Sequence, residues 1–174
     1  IYVHGYTDYF YNTEFAEFFA NRGIAFYALD LRKCGRSRQP GQSAHYVSHL
    51  ALYDAELEDA VRIVNEEAPN AKVAFAAHST GGLVVPLWLD RLNERTQGVD
   101  AFSINGLILN SPWFDLQGSA VVREISTPVA RVLSLAIPTR ILPLGDTSVY
   151  GRSIHASESG VWEFDKDLKP IDGF

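Results

Sequence analysis

Strand-like and helix-like segments alternate through the first two thirds of this 174-residue chain, and that order constrains the fold more than any other feature. Short apolar runs rich in β-branched or aromatic residues predict strands at Ile1–Val3, Ile24–Leu29, Val73–Ala77 and Leu107–Leu109. Helix patterns lie between them. Thr13 can cap a helix with Phe15, Phe18 and Phe19 on its apolar face, closing before Gly23. Leu50, Tyr53, Leu57, Val61, Val64 and Ala68 recur at spacings of three and four, while Asp54, Glu56, Glu58 and Asp59 fall mostly off that stripe. Pro69-Asn70 stops this second helix. A third is predicted from Gly82 to Arg95 with Leu83, Leu87 and Leu92 inward. Strands alternating with helices of this length form βαβ units, so the fold class is α/β with a parallel sheet and flanking helices. From Trp113 the alternation is lost. Val121, Val122, Ile125, Val129, Val132 and Leu133 predict helical pieces interrupted at Pro128 and stopped at Pro138, and residues 145–174 read as loop.

Composition bounds the function. The length is that of one domain at about 150 residues per domain. A hydrophobic share of 47% and a charged share of 21% are those of a globular chain, not a disordered one. The net charge of −6 argues against nucleic acid or an anionic membrane as the main partner, since both require a basic face. No apolar run approaches the roughly 18 residues of a membrane span, and no signal segment opens the chain. The single cysteine, Cys34, cannot form an internal disulfide, which leaves a cytoplasmic location as the expectation. The chain has no methionine, opens inside an apolar run and closes at Asp172-Gly173-Phe174, as an internal piece of a longer protein would.

Chemistry concentrates at Val73-Ala74-Phe75-Ala76-Ala77-His78-Ser79-Thr80-Gly81-Gly82-Leu83. A buried strand runs into Ser79 and a helix starts at once. Ala77 and Gly81, two before and two after the serine, are the small residues that a tight strand-to-helix turn demands. This is the G-x-S-x-G nucleophile elbow with alanine in the first position. The turn lifts Ser79 Oγ above the sheet at the positive end of the next helix. A structural serine in a Gly-rich turn, or a phosphate loop, is the blander reading. Neither G-x-G-x-x-G nor G-x-x-x-x-G-K-[ST] is present to support the nucleotide version. Acyl transfer also needs two preorganised N–H donors for the oxyanion. One is expected from Thr80, after the nucleophile. The other is expected from Tyr6, in His4-Gly5-Tyr6-Thr7, where Gly5 lets the backbone turn. His4 itself reads as a packed, hydrogen-bonded histidine in preference to a reacting one.

His4-Gly5, then Asp30, Arg32, Gly35 and Ser37, then His78, Ser79, Gly81 and Gly82 recur in the order and spacing of a known family. Together they resemble the α/β-hydrolase superfamily, and within it the serine aminopeptidase / monoacylglycerol-lipase (lysophospholipase) branch. Asn110-Ser111-Pro112 is similar to that branch's Ser-Pro after the following strand. Departures are Lys33, Cys34, Ala77 and Thr80. The resemblance covers residues 1 to about 116. It implies an α/β-hydrolase core at 1–112, incomplete at both ends with C-terminal strands missing, and the start of a cap or lid at 113–174. It also implies a triad acid and histidine beyond residue 174. His4, His45, His49 and His78 precede or adjoin the serine, and His155 falls in the cap-like stretch.

Other signals are weaker. His45 and His49 have metal-pair spacing, but Tyr46 stands where a zincin needs glutamate, so a solvated helix start is the better reading and no metal is expected. Arg32 and Lys33 beside Cys34 favour a thiolate, although a loop residue without catalytic role fits better. The expected function is a serine hydrolase for small lipophilic carboxylic esters, working through an acyl-enzyme that needs no cofactor. Peptide or amide cleavage is the variant within that class. A non-enzymatic ligand-binding member of the fold is the alternative outside it.

Overall fold

The computed structural model describes residues 1–95, 102–114 and 120–137, with side chains in the last stretch described from 128 onward. Its elements are β1 (Tyr2–Val3), α1 (Thr13–Ala20), β2 (Ala28–Leu29), α2 (Asp54–Glu67), β3 (Val73–His78), α3 (Gly81–Arg95), β4 (Ile104–Asn110) and α4 (Ala120–Ala136), with short 3₁₀ turns at Gly35–Ser37 and Leu50–Tyr53. The four strands form one parallel sheet in the order β2-β1-β3-β4. The chain leaves β1 toward one edge, through α1 to β2, and returns through α2 to β3 on the other side of β1. The gap between β1 and β3 is therefore the topological switch point, where open α/β sheets bind ligands at the carboxyl ends of their strands.

Register makes that gap specific. Val3 lies opposite Ala77 across β1 and β3, and His78 opposite Asn110 across β3 and β4. Two residues further along, Gly5 is level with Ser79. On one face of the sheet Val3, Val73, Phe75 and Ala77 pack against Leu57 and Val61 of α2 and Val84, Val85, Trp88 and Leu92 of α3, all buried. The rings of Phe75 and Trp88 meet edge-on at 5.3 Å. The other face is aromatic: Tyr2, Phe10, Phe15, Phe19 and Phe26 contact one another at centroid distances of 5.1 to 6.4 Å through α1 and its flanks. Asp54, buried at the start of α2, takes two hydrogen bonds from Arg91 of α3 at 2.9 and 2.6 Å and so locks the two helices together.

Several expectations need correction. Asn12, not Thr13, caps α1: its side chain accepts from Phe15 N–H at 3.1 Å, and Thr13 is the first helical residue. The second strand is two residues long instead of six. Gly23 closes α1 in the left-handed conformation and Ile24 N–H bonds back to the Phe19 carbonyl, so the start of the apolar run serves the helix cap. In α3, Leu92 is buried as expected and Leu83 half-buried, but Leu87 is exposed, and Val84, Val85 and Trp88 form the inner face. Helix α4 runs through Pro128 without interruption. A proline there forfeits one backbone bond and need not end a 17-residue helix. The loop reading of 145–174 and the histidine at 155 lie outside the described residues. Among those described, no helix is long and apolar enough to cross a bilayer.

Candidate active site

Ser79 sits at the tip between β3 and α3 with φ +51°, a left-handed backbone conformation that costs a non-glycine residue on the order of 1–3 kcal/mol and persists only where its surroundings enforce it. The enforcement is visible. Ser79 N–H donates to the Asn110 carbonyl at 3.0 Å, and the Ser79 carbonyl accepts from Gly82 N–H and Trp113 N–H, each at 3.0 Å. The end of β4 thus grips the turn from one side. From the other, α3 starts hard against β1: a Cβ on Gly81 would lie 2.5 Å from the His4 carbonyl oxygen and 2.7 Å from that of Val3. A Cβ on Gly82 would lie 2.8 Å from Pro112 Cβ, which gives the Ser-Pro after β4 a packing role.

Gly5 is small because of proximity. A Cβ there would stand 3.1 Å from Ser79 Cβ and 3.6 Å from its Oγ, and Gly5, unlike Thr7 after it, does not have a positive φ. The reason for this glycine is close approach to the serine, not the turn that sequence reasoning expected. Among the described residues, neither Tyr6 N–H nor Thr80 N–H has a hydrogen-bond partner, and neither does Ser79 Oγ. Among the described residues these two donors and this hydroxyl are all without a partner, on residues that follow β1 and β3 at the carboxyl ends of the strands.

The histidines divide cleanly. His4 is buried and both ring nitrogens are engaged. Nε2 accepts from Leu31 N–H at 3.1 Å, so Nδ1 carries the proton and donates to the Gly5 carbonyl at 2.7 Å. It braces the loop that presents Tyr6. His78, half-buried, places Nδ1 3.2 Å from the Asn110 carbonyl. His49 Nδ1 accepts from Ala51 N–H at 3.1 Å and caps the 3₁₀ turn at Leu50, a helix-start role. His45 is not helical at all: its φ is +58°, its ring meets that of Tyr6 at 5.9 Å, and burial followed by the charges of His4 and Arg38 lowers its pKa.

Asp30, Arg32, Gly35 and Ser37 prove architectural. The Asp30 carboxylate accepts from Phe10 N–H and Arg36 N–H, both at 3.1 Å, while Ser37 Oγ donates to the Asp30 carbonyl at 2.7 Å. Arg36 also donates to the Phe10 carbonyl at 2.8 Å. The loops after β1 and β2 are thereby latched together. Arg32 pairs with Glu56 of α2. Gly35, at φ +42°, turns the chain beneath Tyr9. Cys34 is buried, not reactive: desolvation first, then the nearby Glu56, Asp30 and Asp8 carboxylates push its thiol up to about 11, which overturns the thiolate suggested by its basic neighbours. Asp8, whose charge helps to raise both the Cys34 thiol and the Tyr2 phenol, was not marked by any sequence motif, because an acidic residue in a turn carries none.

A parallel sheet with this switch point and a strained serine between strand and helix are the arrangement of an α/β-hydrolase. The sequence model of the family described as Serine aminopeptidase, S33 matches residues 1–159, and the chain belongs to that family. It is accordingly a hydrolase of the α/β-hydrolase superfamily. Among curated proteins, none matches the chain.

Proposed function

We propose that the protein is a serine hydrolase that cleaves carboxylic esters with a lipophilic acyl group, of the lysophospholipase, monoacylglycerol-lipase or carboxylesterase kind. One observation carries this reading: among the described residues Ser79 Oγ has no hydrogen-bond partner, nor do the N–H groups of Tyr6 and Thr80, and the serine is held at φ +51° in the turn between β3 and α3. Ser79 Oγ attacks the ester carbonyl, forming the C–O bond while the carbonyl electron pair moves to oxygen. Tyr6 N–H and Thr80 N–H hold that oxyanion, a contribution of about 10²–10³ in rate per donor. The bond to the alcohol then breaks, and the alcohol leaves with the proton that a base has taken from Oγ. Water repeats the sequence to release the acid. The base in this scheme is a histidine oriented by a carboxylate, outside the described residues; His4 is not it, since both of its ring nitrogens are engaged. No cofactor enters the scheme.

The exposed Trp113 and Phe114, which follow directly on the elbow's contact with β4, support an apolar acyl group. The single free cysteine agrees with a reducing, cytoplasmic setting. The family's own description favours a second reading, a peptidase acting through the same serine. Matched ester and anilide substrates separate the two. The primary test is covalent labelling of the complete protein with a fluorophosphonate: the adduct maps to Ser79, and Ser79→Ala abolishes it. Undiminished labelling of Ser79→Ala removes the assignment.

A further inference from the structure

Beside the elbow, on the face of the sheet that carries α1, lies a cleft of about 200 Å³ whose lining includes Tyr2, Asp8, Tyr9, Tyr11, His78 and Asn110. Two of these bracket the reacting serine: His78 precedes it, and Asn110 accepts its N–H. Asp8 supplies the one carboxylate among the described lining residues, and it forms no ion pair with any described residue. Among the described residues its carboxylate accepts one hydrogen bond, from Tyr9 N–H to Oδ1 at 2.8 Å, which leaves Oδ2 for a ligand. The groups converge: burial, followed by the charges of Asp8 and Tyr11, pushes the Tyr2 phenol up to about 12. Tyr9 and Tyr11 stand with ring centroids 5.7 Å apart. This loop also holds a cation already, with the Arg36 guanidinium 5.4 Å from the Tyr9 centroid.

We propose that this cleft binds an ammonium group of the substrate, so that the preferred esters carry a primary or quaternary ammonium beside the scissile bond. The inference rests on the serine-hydrolase reading and adds the charge of the substrate to it. A carboxylate with no counterion among the described residues, set among aromatic rings, is the arrangement that retains an alkylammonium through charge and cation–π attraction together. An anionic substrate would meet Asp8 and a chain of net charge −6. A neutral polyol would gain hydrogen bonds but nothing from the rings.

The test uses the complete protein and two phosphonate probes that differ only in the leaving thiol, 2-(trimethylammonio)ethanethiol in one and its neutral isostere 3,3-dimethylbutanethiol in the other. Labelling forms the P–O bond to Ser79 Oγ and breaks the P–S bond, with the serine proton passing to the base. The cationic probe labels the wild type about tenfold faster, the scale of one partly exposed cation–π contact plus one exposed ion pair. Asp8→Asn brings the ratio of the two rates close to one, and raising the ionic strength lowers it in the wild type. Tetramethylammonium slows labelling of the wild type by the neutral probe where equal sodium chloride does not, a readout that needs no variant to fold. Equal rates with both probes, a ratio unchanged in Asp8→Asn, or no protection by tetramethylammonium overturns the inference. Failure of both probes to label Ser79 overturns the serine-hydrolase reading instead.

Discussion

Replacing Gly81 with alanine sets two effects against each other. Intrinsic helix propensity favours the change, because glycine within a helix is about 1 kcal/mol worse than alanine. Gly81 has no left-handed backbone to protect, so propensity alone predicts a more stable protein. Space predicts the reverse. The new Cβ would lie 2.5 Å from the His4 carbonyl oxygen and 2.7 Å from that of Val3. Both atoms belong to the backbone of β1 or its immediate continuation, whose strand pairs on two sides, so no side chain can swing away. Either α3 or β1 must move by several tenths of an ångström, and because both atoms met are backbone the overpacking cost is about 2–3 kcal/mol, the upper part of the usual range. The helix gain offsets part of that, which leaves a net loss of roughly 1–2 kcal/mol and a fall in Tm of about 2–8 °C for a domain of this size. Gly106→Ala in β4 is the control. Its Cβ would meet Ala74 Cβ at 3.5 Å, an ordinary contact, so that substitution is neutral or slightly stabilising. Thermal unfolding of the complete protein decides the matter, with fluorophosphonate labelling rate as a second readout. Gly81→Ala melting at or above wild type would refute the close approach of α3 to β1, and with it the geometry that aims Ser79.

Further outcomes follow from other contacts. Asp54→Ala removes one partner of a largely buried ion pair and leaves Arg91 unmatched, at a cost of about 2 kcal/mol in urea unfolding; an unchanged midpoint would show that the pair contributes nothing. Because the folded state raises the Cys34 thiol from 9.0 to about 11, the native protein binds the proton more tightly there than the unfolded chain does. The contribution from this group is therefore complete below pH 9 and declines as the pH climbs toward 11, and Cys34→Ala flattens the slope between pH 9 and 10, below the ordinary range of Tyr2 and Tyr53. The same thiol resists a disulfide reagent at pH 8 until denaturant is added, and prompt reaction of the native protein would contradict its burial. His4→Ala orphans the buried Leu31 N–H and costs about 1–3 kcal/mol, read as a lower Tm.

Much of this was legible in residue order. Periodicity alone placed three helices, because Leu57, Val61 and Val64 or Leu92 must face a sheet wherever that sheet lies. The elbow was legible because its requirement for small flanking residues is local. Boundaries set by competing local bonds were not. Asn12 and Thr13 are both good caps, and only the bond to Phe15 N–H distinguishes them. Leu87 and Trp88 are both apolar, and which of them faces β3 depends on the rotation of α3, fixed by Gly81 against β1. Cys34 illustrates the limit most clearly. Its sequence neighbours are basic, but the groups that shift it are Glu56, Asp30 and Asp8, two of them distant in sequence and all negative. The cleft around Asp8 had no linear signature, since Tyr2, Asp8 and Asn110 come together only through strand register.

The left-handed backbone at Ser79 has a consequence for how such a gene drifts. Every copy that must keep its hydroxyl in place carries the conformational penalty of a side chain at that φ. A duplicate released from that demand gains stability by the shortest available route, Ser79→Gly, which relaxes the strain at the price of the chemistry. The same substitution made in the laboratory raises Tm by a few degrees while abolishing labelling. Lineages in which the reaction has lapsed would therefore lose the serine early and keep Gly81 and Gly82, whose small size the fold still requires.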